Sequence, residues 1–149
     1  MNAELRNKVF IDTNVLIDVL VGTRPSSASS KKIFQEVRNG HLEGVITTQS
    51  IVDASYITRN EAFSSDEGFF RQILNLGNYF NIEKADSFDI RSACLHPTGD
   101  FEDDVQYARA KDSCCDYLIT NDRRFREKHN DKRPKTLTPE EFIDLMQSE

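Results

Sequence analysis

Apolar residues fall along the chain in two alternating patterns: short continuous runs, and longer stretches in which they recur every three or four positions. Val9-Phe10-Ile11 is a β-favouring run that stops at Asp12-Thr13-Asn14. Val15, Leu16, Ile17, Val19 and Leu20 then continue as a mostly apolar helix, with Thr13 or Asn14 suited to cap it. The Ser-, Gly- and Pro-rich stretch 22–30 reads as a loop leading into a helix over about 29–38. Strand patterns follow at 44–47, 80–82 and 117–120, and helical patterns at 49–59, 66–79, 87–94 and 100–114. Near the end, Thr138-Pro139-Glu140-Glu141 is a helix start, with Thr as cap, Pro at the first helical position and Glu at the third.

Short strands alternating with helices predict an α/β domain, a short and mainly parallel sheet flanked by helices. No internal repeat or long linker divides it, so residues 1–149 read as a single domain. In such sheets ligands bind beyond the carboxyl ends of the strands. No run approaches the roughly 20 apolar residues of a membrane span, and the first residues lack the apolar core of a secretion signal. The expectation is a soluble cytoplasmic protein.

The net charge of −6, from 25 acids against 19 bases, is unfavourable for contact with phosphate unless the surplus acid is gathered where a cation sits. Cys94, Cys114 and Cys115 are odd in number, and two are adjacent. They predict neither a disulfide framework nor a zinc site, only reduced residues packed as small hydrophobes.

The acids are where the chemistry points. Asp12 and Asp122 each follow a predicted strand, at the end where the site of a parallel sheet lies. Each also suits a turn or a helix cap. Asp53 shares a helical stripe with Ser50 and Ile57, which aims it at a cleft. The alternative is a capping box, Ser50-x-x-Asp53, marking a helix start. In Asp100-Phe101-Glu102-Asp103-Asp104, Asp103 leads a stripe with Tyr107, Ala110 and Cys114, while Asp104 lies a quarter-turn away and reads as solvated. A first-turn complement to the helix dipole accounts for some of these acids. Four acids on four elements form a set that an oxygen-seeking ion, Mg²⁺ or Mn²⁺, would compensate. The matching chemistry is hydrolysis of a phosphodiester, with no side-chain nucleophile required.

With these residues in view, the sequence resembles the PIN domain, in particular the VapC-type toxin ribonucleases of toxin–antitoxin pairs. Residues 9–18, 47–53, 100–106 and 117–125 match the family's four motifs in order. The resemblance implies a Rossmann-like fold and an RNA substrate. It also implies a homodimer and an antitoxin protein that blocks the site. Asp12, Asp103 and Asp122 become metal ligands, and Asp53 stands where the family more often has glutamate, completing a catalytic set of four. Asp100 becomes an auxiliary carboxylate, and Thr13, Asn14, Thr120 and Asn121 become partners of the ligands or of the substrate phosphate.

After Asp122 comes the basic stretch Arg123-Arg124-Phe125-Arg126-Glu127-Lys128-His129. Arg123, Arg124 and Arg126 are candidates to hold an RNA backbone, and Phe125 reads as core rather than as a stacking platform. His41, His96 and His129 lie in predicted loops without paired spacing and read as surface or structural residues. Two competing readings come from other classes. A phosphotransfer enzyme using Asp12 is disfavoured. A haloacid-dehalogenase site wants an aspartate at position 14, which is Asn, and a receiver domain wants an acidic pair that residues 7–11 lack. A non-catalytic PIN-like module that binds RNA or protein is opposed by the intact acid set.

Overall fold

A computed structural model describes residues 5–59 and 66–148. Five strands form one sheet in the order β3-β2-β1-β4-β5: β1 Asn7–Ile11, β2 Leu42–Thr47, β3 Phe80–Glu83, β4 Tyr117–Ile119 and β5 Lys135–Leu137. Every pairing is parallel. The helices are α1 Thr13–Val21, α2 Ser27–Arg38, α3 Thr48–Thr58, α4 Asp66–Leu76, α5 Ser87–Leu95, α6 Phe101–Asp112, α7 Arg123–Lys128 and α8 Pro139–Gln147.

The sheet is covered on both faces, as a parallel sheet requires. Strand alternation sends Val9 and Ile11 to one face and Phe10 to the other. Val9 and Ile11 pack with Leu16, Ile33, Phe34 and Phe142 in one cluster. Phe10 packs with Val45 and Leu118 against Tyr107, Ala110 and Phe125 in the second. Gly44 is required for this packing, because a Cβ there would lie 2.5 Å from the Phe80 ring and 2.9 Å from Val37 Cγ1.

Several expectations change in detail. The residue that caps α1 is Asp12 rather than Thr13 or Asn14. The helix predicted over 66–79 ends at Leu76, because Gly77 and Asn78 turn the chain toward β3. The stretch predicted to stay helical to 114 stops at Asp112, and Cys114 takes a left-handed φ of 56° before β4. Two elements are additional: α7, which holds one buried apolar residue, and β5, whose three residues are recruited by pairing with β4. The expected capping box of α8, Thr138 with Glu141, is present with Pro139 in the first turn. Cys94 and Cys114 are exposed, Cys115 is buried, and all three are free.

The connections after β1 and β4 leave toward opposite edges of the sheet, so these adjacent strands flank a switch point. A crevice opens there beyond their carboxyl ends. Register places Ile11 beside Ile119, and the Asp12 amide donates to the Ile119 carbonyl at 3.1 Å. Among the described residues, no helix is long and apolar enough to cross a membrane.

Candidate active site

A cleft of about 510 Å³ lies at this switch point. Six carboxylates line it: Asp12, Asp53, Asp100, Glu102, Asp103 and Asp122. Among the described residues, no Lys, Arg or His joins them. Six of the chain's 25 acids are therefore gathered in one place.

Each acid arrives from a local device. Asp12 ends β1 and caps α1. Its Oδ1 accepts from the Thr13 amide at 2.9 Å, and its Oδ2 from Thr120 Oγ1 at 2.7 Å and Asn14 Nδ2 at 3.0 Å. Burial pushes its pKa up, and those donors only partly offset the rise. Asp122 caps α7, its Oδ1 accepting from the Phe125 amide, while its own amide donates to Thr120 Oγ1. Thr120 is therefore the joint between the two acids that end β1 and β4. Asn121 fixes the same corner: its amide donates to Asn14 Oδ1, and its side chain donates to the buried Asp18 at 2.6 Å.

The N-terminus of α6 supplies three acids. Asp100 is its cap, accepting from the Asp103 amide at 3.1 Å. Asp103 is pushed up to about 7, first by burial and then by Asp12, Asp100, Asp122 and Glu102. An aspartate half-protonated at neutral pH measures how much negative charge the cleft leaves uncompensated. Glu102 is also raised, by burial and then by Asp53, whose carboxyl lies within hydrogen-bonding reach.

Asp53 comes from α3 and accepts from Gln49 Nε2 at 2.8 Å. The capping-box alternative fails, since α3 is capped by Thr47, whose hydroxyl accepts from the Ser50 amide. Ser50 instead joins a buried chain beneath the cleft. Its hydroxyl meets Thr13 Oγ1 at 2.7 Å and accepts from Gln106 Nε2 at 2.9 Å, while Gln106 Oε1 accepts from Thr47. This network locks α1, α3 and α6, three of the four helices that carry acids into the cleft.

The donor set is all oxygen and largely anionic, which fits Mg²⁺ or Mn²⁺ and excludes nothing softer by geometry alone. Among the described residues, three acids with oxygens all within 4.8 Å of one another occur at Asp86, Asp89 and Asp112 and not in the cleft, where Asp53 and Glu102 stand as a pair within hydrogen-bonding reach.

Asp12, Asp53, Asp103, Asp122, Asp100, Thr13 and Asn14 all line the cleft. Thr120 and Asn121 stand behind it. Glu102 was overlooked by sequence reading, although its place one residue before Asp103 was a signal. Asp104 is a correction. Expected to be solvated, it is buried and accepts from the Thr98 amide at 2.9 Å and from the Thr98 hydroxyl. His129 Nε2 meets it at 2.9 Å.

The basic residues divide. Arg123 pairs with Glu127 at 2.9 Å, and Arg124 is exposed. Arg126 is partly buried and donates to the Thr120 carbonyl at 3.2 Å. Phe125 is fully buried, as expected of a core residue. The exposed aromatic at the rim is Tyr56, 69 % exposed, with the Arg59 guanidinium 5.7 Å from its ring centroid.

A family model for the PIN domain matches residues 8–124. No curated protein sequence matches the chain. Among solved structures, PAE2754 from Pyrobaculum aerophilum superposes with a TM-score of 0.64 at 15% identity, over 96% of this chain and 91% of that one. VapC20 of Mycobacterium tuberculosis, a sarcin–ricin loop cleaving toxin, superposes with a TM-score of 0.64 at 12% identity, over 85% of this chain and 99% of that one.

Proposed function

The chain belongs to the PIN-domain family, and from that membership we propose that it is a metal-dependent endoribonuclease serving as the toxin of a toxin–antitoxin pair. The observation that carries the reading is the cleft itself: six carboxylates, no base, and an aspartate raised to about 7, at the switch point of a parallel sheet.

Asp12, Asp103 and Asp122 would hold Mg²⁺ or Mn²⁺, with Asp53 and Asp100 completing the site. When bound, such an ion supplies Lewis acidity to a phosphodiester and lowers the pKa of a water molecule. The protein's own part is placement. Thr120, Asn14 and the Thr13 amide fix the Asp12 carboxylate, and the cap of α7 fixes Asp122. Asp103, raised to about 7, would act as a ligand in its deprotonated form.

The substrate is RNA, a reading supported by the family and by the likeness to VapC20, a sarcin–ricin loop cleaving toxin. Arg124 and Arg123 lie at the start of α7, next to Asp122, and would meet the backbone. Tyr56 offers an exposed ring at the rim for a base to stack on. As part of the same reading, the chain works as a single domain in the cytoplasm, as a homodimer, and is blocked by an antitoxin protein.

The test is cleavage of transfer RNA and of a sarcin–ricin loop hairpin by purified protein with Mg²⁺ or Mn²⁺, against EDTA and Asp12→Asn. Metal-dependent cutting that Asp12→Asn abolishes without lowering the melting temperature is expected. Undiminished cutting by a normally folded Asp12→Asn would sink the role of Asp12. No cutting by folded wild type would favour a binding module.

A further inference from the structure

A second group of acids gathers between α5 and α6, away from the cleft. Asp103 and Asp112 lie on the same helix but about 13 Å apart along its axis and half a turn out of phase, at 1.5 Å and 100° per residue. Asp112 therefore faces a different part of the molecule from the cleft. There it meets Asp86 and Asp89, one oxygen of each falling within 4.8 Å of the others.

Asp86 caps α5, and Asp89 closes the capping box. Asp86 Oδ1 accepts from the Phe88 amide at 3.0 Å and the Asp89 amide at 3.1 Å. Asp89 Oδ2 accepts from the Asp86 amide at 2.9 Å and lies 3.3 Å from Arg109 NH1. The capping box leaves Asp89 Oδ1 unused. The Asp89 side chain is 0% exposed, and Oδ1 is a buried oxygen without a hydrogen-bond donor among the described residues. The group nearest it in chemistry is the Asp112 carboxyl, within hydrogen-bonding reach of Asp89, which offers no donor when ionised.

Arg109 does not resolve this. Its guanidinium is shared among Asp89, Asp86 at 3.6 Å and Glu83 at 3.6 Å, and it also donates to the Lys84 carbonyl and Ser113 Oγ. Burial, followed by the Asp112 carboxyl, pushes Asp89 up to about 6, which registers the same excess of negative charge. A buried carboxylate oxygen with no donor is costly, and either a cation or a proton shared with Asp112 would satisfy it.

We propose that Asp86, Asp89 and Asp112 form a site for a hard divalent cation of the Ca²⁺ class, which ties α5 to α6, with Asp89 Oδ1 as the buried ligand. Carboxylate oxygens within 4.8 Å fit around an ion whose ligands lie at roughly 2.3–2.6 Å. Asp86 and Asp112 are exposed, leaving the outer coordination positions to water. The site does not depend on the nuclease reading.

The probe is Ca²⁺ alone, added to the full chain and followed by residue-resolved NMR and by melting temperature. Saturable shifts are expected at the amides of residues 86–90 and 109–113, with a rise in melting temperature of roughly 5–10 °C at a hundredfold excess over Kd. Both responses should persist in Asp12→Asn/Asp103→Asn, which removes two cleft acids, and vanish in Asp112→Asn. The residue-resolved readout separates the two sites in wild type as well, should the double variant fold poorly. No saturable shift at those amides, or a shift that survives Asp112→Asn, would overturn the site in favour of a proton shared by Asp89 and Asp112. RNA cleavage by the wild type is read separately, so failure here leaves the nuclease reading standing, and the reverse.

Discussion

Thr120→Val is the most informative single perturbation of the cleft, because it deletes one hydroxyl and almost no volume. That hydroxyl is fully buried and has three partners: it donates to Asp12 Oδ2 at 2.7 Å and accepts from Asn14 Nδ2 at 3.3 Å and from the Asp122 amide at 3.1 Å. In the variant, Asp12 keeps the Thr13 amide, Asn14 and Gln106 as donors, and the Asp122 amide loses its acceptor. A hydrogen bond to a charged group is worth about 1.5–3 kcal/mol, and a buried amide left unpaired costs about 1–3 kcal/mol. The added methyl recovers about 0.8 kcal/mol. The net loss is about 2–5 kcal/mol, or roughly 4–20 °C in melting temperature for a chain of this size. The functional loss should be larger in proportion. Thr120 is the strongest influence holding down an Asp12 pKa that burial raises, so its removal favours the protonated, non-ligating form. Mn²⁺ affinity, read by calorimetry or electron paramagnetic resonance, should fall about 10- to 100-fold. The deficit should be greater at pH 6 than at pH 8, and Thr120→Ser should behave as wild type. A well-folded Thr120→Val that binds Mn²⁺ as tightly as wild type would refute the assignment of Thr120 as the joint between Asp12 and Asp122.

Three further predictions address the charge, the support and the rim of the site. Asp103 has a folded pKa of about 7 against an ordinary 3.8, so its contribution to stability is complete below about pH 4 and lost as pH rises through 7. In EDTA, the melting temperature of wild type should therefore fall relative to Asp103→Asn across that window, and parallel curves would contradict it. His129→Ala should cost about 3 kcal/mol in denaturant unfolding. It removes a partner of buried Asp104, whose pKa is held below the ordinary range because Thr98 and His129 outweigh the effect of burial, and it removes a ring stacked on Tyr107 at 4.2 Å. A loss below about 0.5 kcal/mol would show that the pair carries little of the fold. Tyr56→Ala should raise KM for RNA about five- to tenfold with kcat and melting temperature nearly unchanged, and an unchanged KM would remove Tyr56 from the RNA path.

How legible each residue was depended on how local its cause is. Asp12 and Asp122 could be placed because each follows an apolar, strand-forming run, a pattern decided within a few residues. Asp53 could be aimed at the cleft from its stripe with Ile57, since helical periodicity is local too. The same tools misjudged Asp104. Its burial depends on Thr98 and His129, which reach it from a loop and from the end of α7. They passed over Asp18, buried beneath Asn121 and Ser30, and Glu102, which only the approach of α3 to α6 brings toward Asp53. Neither α7 nor β5 could be read at all, for α7 is held by one buried phenylalanine and β5 by its neighbour in the sheet.

The sequence by itself therefore determined the alternation of strands and helices, the burial of their apolar runs, and the position of an acid at the end of two strands. These follow from periodicity, capping and the cost of exposing apolar side chains, all of which act over one element at a time. Only the tertiary structure decided that β1 and β4 are neighbours leaving in opposite directions, and hence that acids from distant parts of the chain share one crevice. Strand order is set by long-range pairing and by how helices cover both faces of the sheet, and no window of sequence contains that choice. The crowding that raises Asp103, and the unpartnered oxygen of Asp89 between α5 and α6, are consequences of the same packing.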